Sequence, residues 1–181
     1  MSVNSNGIRL RRIASADWTA IHEWASTEEA CRFQPWGPNQ VDDTKSFVAD
    51  AVAAWHADPQ SRYVWVAIDP LDGVVGLGEL QVSSRRWRRG SIAYAVHTQH
   101  WGRGIGTVVA AQLIRFAFEK LGLHRVEGTC DPRNLASAAI LRKVGMTREG
   151  QLREMIELRD GWRDSEIYSI LDGESSPKPR R

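Results

Sequence analysis

Cysteine is scarce in this chain: only Cys31 and Cys130 occur among 181 residues, and they lie far apart in the sequence. Neither belongs to a Cys-x-x-Cys pair or to a Cys/His cluster, so the sequence supports neither a disulfide framework nor a zinc site. We expect both side chains to be small buried hydrophobic residues, and we expect no metal cofactor.

Long apolar runs are also missing. No stretch approaches the roughly 18–20 residues that are needed to span a bilayer. The segment Met1–Leu10 carries the charged Arg9 with Asn, Ser and Gly, where a signal peptide would need a continuous apolar core. We therefore expect a cytoplasmic protein that has no membrane partner.

Excess charge of one sign is absent too. The formal net charge is only +2, so the chain lacks the strong positive field of a nucleic-acid-coating protein, and we do not expect a nucleic-acid partner. The densest basic patch is the turn Arg85–Arg89, in which four arginines surround Trp87. We interpret it as a solvated hairpin tip; the alternative is a surface for an acidic or nucleic-acid-bound substrate.

The length and composition fit one domain of ordinary size. With 42% hydrophobic and 25% charged residues, 181 residues can close a single core without covalent crosslinks. We expect this domain to span residues 1–172. Residues 173–181 are mainly Ser, Pro, Lys and Arg with nothing to bury, which predicts a disordered tail.

Hydrophobic periodicity predicts alternating strands and helices. The segment Phe33–Pro38 is expected to be an ordered loop. The predicted elements are the strand Ile8–Ile13, a helix capped by Ser15, the helix Asp42–Ala57, the strands Tyr63–Ile68, Val74–Val82 and Ser91–His97, the helix Gly106–Leu121, the strand Arg125–Cys130, the helix Asn134–Val144, and two strands that flank Asp160 and Gly161.

One strand runs into a glycine-rich turn and then into a helix. Glycines at positions 102, 104 and 106 let the main chain approach a ligand, and the helix start offers unpaired N–H groups to an anion. This arrangement favours a pyrophosphate, although a purely structural turn is the alternative. The spacing differs from the Gly-x-Gly-x-x-Gly of dinucleotide sites, and no Gly-Lys-Ser/Thr ends the turn as in nucleoside-triphosphate loops.

These residues resemble the GCN5-related N-acetyltransferase (GNAT) superfamily, and within it the RimJ/RimL-like branch. The resemblance covers nearly the whole chain, and Trp101 is itself typical of that branch. The matching segments are Leu10–Ile13 with Asp17, Tyr94–Val96, Trp101–Gly106, Asp131–Ser137 and Leu141–Met146.

The resemblance implies a single-domain α/β fold. Its mixed, mostly antiparallel sheet would be splayed at the cofactor strand, with helices on both faces. It also implies transfer of an acetyl group from acetyl-coenzyme A (acetyl-CoA) to a primary amine by direct attack in a ternary complex. A protein or peptide N-terminal amine, as in ribosomal proteins, is the expected acceptor. The alternatives are an aminoglycoside or a polyamine, or a non-catalytic CoA-binding or nucleic-acid-interacting protein; a homodimer is compatible with the sequence.

The resemblance further assigns residues to the cofactor. Pantetheine would pair with the strand that ends at Val96, and an N–H near Val96 or His97 would face the thioester oxygen. The Arg103 side chain would add charge toward the phosphates, and Ser137 would donate to the departing sulfur. Helix capping is the alternative for Ser137 and, more so, for Asn134. The cofactor-binding residues implied are Val96, His97, Trp101, Gly102, Arg103, Gly104, Ile105, Gly106, Thr107 and Asn134.

The general base is less constrained, because an α-amine with a pKa near 7.7–8.0 needs only about 1–1.4 kcal/mol to lose its proton at pH 7. Glu79 is the first candidate, since the small neighbour Gly78 leaves room for a ligand. Strand alternation without a bulge places Glu79 on the face of Val75 and Leu77, which favours an inward carboxylate; the alternative is an exposed glutamate at the sheet edge. The alternatives are Glu127, His97 and a water chain.

The acceptor side is marked only by aromatic and acidic residues. Phe33, Trp36 and the hairpin around Trp162 are either acceptor walls or core aromatics. Glu154 and Glu157 either line the acceptor side or are surface charges.

Overall fold

The computed structural model describes residues 7–174, and the predicted tail from 175 onward lies outside them. Five helices and seven strands follow one another along this part of the chain, with short 3-10 turns at Ser15–Asp17 and Thr98–His100. They are β1 (Arg9–Arg12), α1 (Trp18–Ala25), α2 (Glu28–Cys31), α3 (Val41–Ala54), β2 (Arg62–Asp69), β3 (Gly73–Ser84), β4 (Arg89–Val96), α4 (Ile105–Glu119), β5 (Arg125–Cys130), α5 (Leu135–Lys143), β6 (Thr147–Leu158) and β7 (Gly161–Leu171).

The seven strands form one sheet in the order β1-β2-β3-β4-β5-β7-β6. Neighbouring strands are antiparallel, except that β4 and β5 are parallel. This parallel pair is possible because α4 lies between the two strands in sequence and carries the chain back to the starting edge. The expected α/β class with a mostly antiparallel mixed sheet is confirmed.

Different helices cover the two faces of the sheet. Along β2, Tyr63 and Trp65 pack with α4 and α5, whereas Val64 and Val66 pack with α1 and α3. Because successive side chains of a strand point to opposite faces, one run of apolar residues contributes to two separate hydrophobic cores. Helices on both faces are confirmed.

The sheet is splayed where β4 meets β5, as expected. Parallel pairing covers only Arg89–Ser91 and Arg125–Glu127, while β5 continues in register with β7 as far as Cys130. Beyond this short contact the two strands diverge. The edge of β4 from Ile92 to Val96 therefore faces a gap, in which an extended ligand could pair as an added strand.

Arginines and glutamates brace the closed end of this gap. The Arg125 guanidinium donates to Glu127 at 2.7 Å and to Glu149 at 2.7 Å, and Arg89 donates to Glu127 at 2.7 Å. Hydrogen bonds from Arg125 and Ser169 lower the pKa of Glu149 to about 2. The network joins β4, β5, β6 and β7, so it fixes the point from which β4 and β5 diverge.

Replacing Arg125 by Met is expected to destabilise the fold by about 2 kcal/mol at pH 7, because it leaves Glu127 and Glu149 without their shared cation. Because the folded-state pKa of Glu149 is depressed from 4.5, its contribution is present above pH 4.5 and is lost as the pH falls toward 2. Urea denaturation from pH 7 to pH 3 measures both effects. The matched control is Arg115→Met, whose exposed pair with Glu119 should contribute less than about 0.5 kcal/mol.

Several local predictions can be compared with the structure. Ser15 is not a helix cap: it starts a 3-10 turn, and the Asp17 carboxylate accepts the Ala14 N–H at 2.7 Å while pairing with Arg11. The Arg85–Arg89 segment includes the exposed turn between β3 and β4, with Trp87 63% exposed, which confirms a hairpin tip. Cys31 and Cys130 are both buried, as expected.

Two surveys of residues 7–174 add to this description. No helix there has the length and apolarity needed to cross a bilayer. The same residues contain no cluster of three or more His, Cys, Asp or Glu side chains arranged to hold a metal ion.

Candidate active site

The glycine-rich turn has the backbone that its sequence predicts. Gly102 and Gly104 adopt φ values of +77° and +78°, which side-chain-bearing residues rarely reach, and Gly104 is the N-cap of α4. A Cβ at either position would have no protein atom within 4 Å. The first turn of α4 therefore presents its N–H groups to open space, as a diphosphate site requires.

The third glycine has a different function. A Cβ on Gly106 would lie 2.8 Å from the Cδ1 atom of Ile140 on α5. Gly106 therefore lets α4 and α5 approach each other beside the turn, which sets the width of the cavity between them.

The end of β4 connects this turn to the splayed strand. The Trp101 indole N–H donates to the Val96 carbonyl at 2.8 Å, and the His97 N–H donates to the Val75 carbonyl at 2.9 Å. Since the His97 amide is engaged with β3, it is not available to a thioester oxygen. Alternation along an antiparallel pair directs the Val96 N–H the other way, toward the gap.

The Arg103 side chain, which the sequence assigns to the phosphates, contacts two carboxylates in this structure. Its guanidinium donates to Asp69 at 2.8 Å and to Asp72 at 2.7 Å, both in the β2–β3 turn. These carboxylates satisfy the cation, and hydrogen bonding to Asp72 raises the pKa of Arg103. Arg103 thus ties the glycine-rich turn to the neighbouring turn.

Two cavities meet at the splayed strand. The smaller, about 450 Å³, is lined by the glycine-rich turn and by α5. The larger, about 860 Å³, lies on the α1 and α3 side and is closed by the loop after α2 and the β6–β7 hairpin. The residues that line both cavities are Trp24, Phe33, Gln34, Tyr94, Ala95, Asn134 and Ser137.

A pair of hydroxyl groups lies at this junction. The Tyr94 hydroxyl is 3.0 Å from the Ser137 Oγ, and Asn134 caps α5 by accepting the Ser137 N–H at 3.0 Å. This cap uses the Asn134 carbonyl oxygen, which leaves its amide NH2 for a ligand. Burial raises the pKa of Tyr94 to about 12, so the phenol stays protonated at neutral pH.

Sequence reasoning quoted Tyr94 as part of a motif but gave it no function. The signal was present, since alternation places Tyr94 between Ile92 and Val96 on the face that packs with α4. A hydroxyl on an otherwise apolar strand face needs a partner. The partner, Ser137, is 43 residues away and could not be identified from spacing alone.

Glu79 lines the larger cavity, but not for the reasons inferred from the sequence. A β-bulge adds Val75 between the pairs Ala67–Gly76 and Ile68–Val74, so Val75 faces α4 while Leu77 and Glu79 face α1 and α3. Gly78 leaves no room for a ligand, because a Cβ there would lie 2.6 Å from Val109 on α4.

The Glu79 carboxylate also has an unforeseen partner. Arg62 on β2 donates to both of its oxygens, at 2.9 and 3.0 Å. Directly across from Glu79 on β4 lies Ala93, which precedes Tyr94 in the chain. Glu79 is thus an arginine-held carboxylate next to the junction of the two cavities.

The alternative bases have other surroundings. Burial of Glu127 raises its pKa, but hydrogen bonds from Arg125 and Arg89 outweigh this and lower the pKa overall. Burial, with the nearby His100, lowers the pKa of His97, whose Nδ1 accepts the Gln99 N–H. Glu127 belongs to the brace, and His97 is buried behind the glycine-rich turn.

Of the residues considered for the acceptor side, some line the larger cavity and others do not. Phe33 and Trp36 line the larger cavity, and Trp36 also packs edge-on against Trp24. Trp162 is 55% exposed and lines neither cavity. Glu154 and Glu157 are exposed on β6 and likewise lie outside both cavities, so they are surface charges.

Arg159 connects two segments that close the larger cavity. From the turn between β6 and β7 it donates to the carbonyls of Cys31, at 2.8 Å, and of Trp36 and Gly37. Trp36 and Gly37 line the cavity, as does Leu158 beside the arginine. One side chain therefore holds the hairpin against the loop after α2.

Replacing Arg159 by Ala is expected to raise KM for the amine about fivefold to tenfold, because several hydrogen bonds that hold the cavity wall are lost. KM for acetyl-CoA should change less than twofold, since the smaller cavity is untouched. Steady-state kinetics with each substrate varied in turn checks this. The control is Arg153→Ala, which removes the same charge from an exposed position on β6. An equal effect of both variants would contradict the proposal that Arg159 holds the cavity wall in place.

This geometry defines a class of protein. The unpaired edge of β4 fits pantetheine, and the helix N-terminus behind the open glycines fits the diphosphate of an acyl-CoA. The pair of hydroxyls fits its sulfur, and the second cavity beside them fits an acceptor. In agreement, residues 8–147 match the family model described as acetyltransferase (GNAT) domain. The chain belongs to the GNAT family of acetyltransferases.

Similar proteins cover almost the whole chain. The uncharacterized N-acetyltransferase YnaD of Bacillus subtilis (strain 168) is 24% identical over 181 residues, covering 96% of this chain and 99% of YnaD. A spermidine N-acetyltransferase from Vibrio cholerae, solved with CoA and spermine, superposes with a TM-score of 0.82 at 17% identity, covering 94% and 99% of the two chains. A ribosomal-protein-S5-alanine acetyltransferase from Vibrio fischeri gives 0.79 at 20% identity, covering 94% and 96%.

At these sequence identities, the similarity to solved structures shows the fold only. The match to the family model shows the reaction that the family catalyses. The protein is an acetyl-CoA-dependent N-acetyltransferase, with acetyl-CoA as its co-substrate. The residues present fit that substrate, because the glycine-rich turn is open where the diphosphate would lie and β4 beyond Ser91 does not pair with β5.

Proposed function

We propose that this acetyltransferase modifies the N-terminal α-amine of a peptide or protein. The observation that carries the proposal is the chemistry of the larger cavity, which has aromatic walls and carboxylates that already have partners. It meets the smaller cavity at Tyr94 and Ser137. An acceptor with one cationic amine and an apolar side chain fits such a space.

The carboxylates of the larger cavity argue against a polyamine. Its lining acids are Asp43, Glu79 and Asp131. Glu79 is held by Arg62 and Asp131 by Arg133, while Asp43 accepts the Gln40 N–H. A polyamine carries several cations, each of which loses water on entering and needs an anion in return. Two of the three carboxylates are already neutralised, so a single ammonium is the better match.

The protein groups around the junction divide the chemistry. The Val96 N–H would stabilise the oxygen that becomes negative when the amine attacks the thioester carbon. The Tyr94 and Ser137 hydroxyls would donate to the sulfur as the carbon–sulfur bond breaks. The amides from Arg103 to Thr107 would hold the diphosphate, and the Asn134 NH2 would bind a pantetheine carbonyl.

The amine proton is assigned to Glu79, acting through water. Arg62 holds the Glu79 carboxylate in the wall of the larger cavity, where it would accept the amine proton through a water molecule. The small cost of deprotonating an α-amine makes a strongly basic residue unnecessary. We also propose that the enzyme belongs to the RimJ/RimL-like branch. Trp101, which is typical of that branch, donates its indole N–H to the Val96 carbonyl at the end of β4.

The pH profile should reflect the amine and not the phenol. The value of kcat/KM is expected to rise as the α-amine loses its proton near pH 8 and to stay level to about pH 10. The reason is that the Tyr94 hydroxyl, with a pKa of about 12, stays protonated throughout this range. Initial rates between pH 6 and pH 10.5 test this; a fall in kcat between pH 9 and pH 10 would contradict it.

The acceptor is tested by free-thiol release with matched amines. The panel contains lysine-bearing peptides with a free N-terminus, the same peptides blocked at the α-amine, and spermidine. We expect turnover of free peptides, with the acetyl group located on the α-amine by tandem mass spectrometry. Preferential turnover of spermidine, or equal turnover of the blocked peptides, would overturn the proposal.

A further inference from the structure

The centre of the glycine-rich turn carries one side chain. Arg103 lies between Gly102 and Gly104, and a Cβ on either glycine would meet no protein atom within 4 Å. Glycine has access to more backbone conformations than any other residue, so two unpacked glycines do not fix a turn by themselves. The contacts of the Arg103 side chain therefore decide how firmly this part of the turn is held.

Asp69 is the buried partner of Arg103. The Asp69 side chain is 4% exposed, whereas the Arg103 side chain is 40% exposed. One carboxylate oxygen accepts the guanidinium at 2.8 Å, and the other accepts the main-chain N–H groups of Leu71 and Asp72 at 2.9 and 3.3 Å. The hydrogen bond from Leu71 contributes most to lowering the pKa of Asp69, so the carboxylate is ionised at neutral pH.

The sheet gives Asp69 a rigid base. Asp69 is the last residue of β2, which pairs with β1 on one side and with β3 on the other, and it lies opposite Gly73 on β3. An arginine pair with a carboxylate that is already fixed loses less side-chain freedom than a pair of two mobile groups. Asp72 adds a second, more exposed contact to Arg103 at 2.7 Å. The contact between Asp69 and Arg103 thus connects the sheet to the turn that begins α4.

We propose that Asp69 is a positioning residue for the diphosphate of acetyl-CoA, because it holds Arg103 and with it the main-chain N–H groups of the Gly102–Thr107 turn. This inference rests on the proposed diphosphate position at that turn. Donors that are ordered before the ligand arrives lose less conformational freedom on binding and so bind more tightly. Asp69 acts through Arg103 and needs no contact with the ligand.

The test crosses two enzymes with two acetyl donors. The enzymes are the wild type and Asp69→Asn, which keeps the size of the side chain and an oxygen for the Leu71 N–H but removes the charge that holds Arg103. The donors are acetyl-CoA and S-acetylpantetheine, which lacks the diphosphate. We expect Asp69→Asn to lower kcat/KM for acetyl-CoA about tenfold, with kcat at saturation changed less than twofold, and to change kcat/KM for S-acetylpantetheine less than twofold. Calorimetric titration should show the same tenfold loss of affinity for CoA.

The matched control is Asp17→Asn. Asp17 is 7% exposed, pairs with Arg11 and accepts the Ala14 N–H, so it has the same kinds of partner as Asp69. Its variant should leave the ratio of the two donors unchanged. Equal losses with both donors, an unchanged CoA affinity, or tighter CoA binding once Arg103 is released would overturn the inference. If the wild type uses S-acetylpantetheine as well as acetyl-CoA, the proposed diphosphate site itself fails, so the two failures are distinguished.

A second measurement uses the protein without CoA. The backbone amide order parameters of Gly102 and Gly104 are expected near about 0.85 in the wild type and to fall toward about 0.6 in both Asp69→Asn and Arg103→Met, but not in Asp17→Asn. Arg103→Met removes the same contact from its more exposed side, so it serves if Asp69→Asn fails to fold. Unchanged order parameters in Arg103→Met would overturn the inference.

Discussion

Removing either hydroxyl of the Tyr94–Ser137 pair is expected to lower kcat about 100-fold, in the variants Tyr94→Phe and Ser137→Ala. The two groups lie 3.0 Å apart at the junction of the cavities, where we propose that the sulfur leaves. General acid assistance typically contributes 100-fold to 10,000-fold, and a thiolate with a reference pKa near 8.5 needs the lower end of that range. Single-turnover and steady-state rates with a saturating amine measure the loss.

The dissociation constant of CoA should change less than about threefold in both variants, because the diphosphate contacts lie elsewhere. Since the two hydroxyls are hydrogen-bonded to each other and would act on the same sulfur, the double variant should be little slower than the worse single variant. Multiplicative losses in the double variant would show that the hydroxyls act independently. Unchanged kcat in both single variants would exclude the pair from the chemistry.

Replacing Gly104 by Val is expected to weaken CoA binding about 100-fold. Gly104 has φ of +78° and open space above its α-carbon, so a side chain there would project to where the ligand approaches. Losing the amide contacts to the diphosphate removes charge-assisted hydrogen bonds worth roughly 1.5–3 kcal/mol each. Calorimetric titration with CoA measures the change in affinity.

Gly122 supplies the matched control at the other end of α4. It also has positive φ, +59°, and open space around a hypothetical Cβ. Gly122→Val should therefore carry a similar backbone strain of about 1–2 kcal/mol in thermal unfolding, while leaving CoA affinity unchanged. If the two variants lose affinity equally, the effect comes from strain and not from the diphosphate site.

Much of the fold could be predicted because its signals are local. The apolar alternation of β2 and the glycines before α4 both act within a few residues, so the strand, the turn and the helix could be located from the sequence. The splayed sheet came from family resemblance, and the short pairing of Arg89–Ser91 with Arg125–Glu127 confirms it.

The features of the site that the sequence did not indicate come from contacts between distant segments. Arg103 reaches acids 31 and 34 residues earlier, so its side chain serves the β2–β3 turn. No residue type in β3 predicts the bulge at Val75, which places Val75 on the opposite face of the sheet from Glu79. Arg62, 17 residues before Glu79, changes the surroundings of that carboxylate in a way that strand alternation cannot indicate.

A crystal structure with both CoA and an N-terminal peptide tests the central claim most directly. We expect the diphosphate at the Gly102–Thr107 turn, the sulfur within hydrogen-bonding distance of the Tyr94 and Ser137 hydroxyls, and the peptide amine in the larger cavity. A sulfur atom away from both hydroxyls, or a peptide bound outside the larger cavity, would contradict the mechanism.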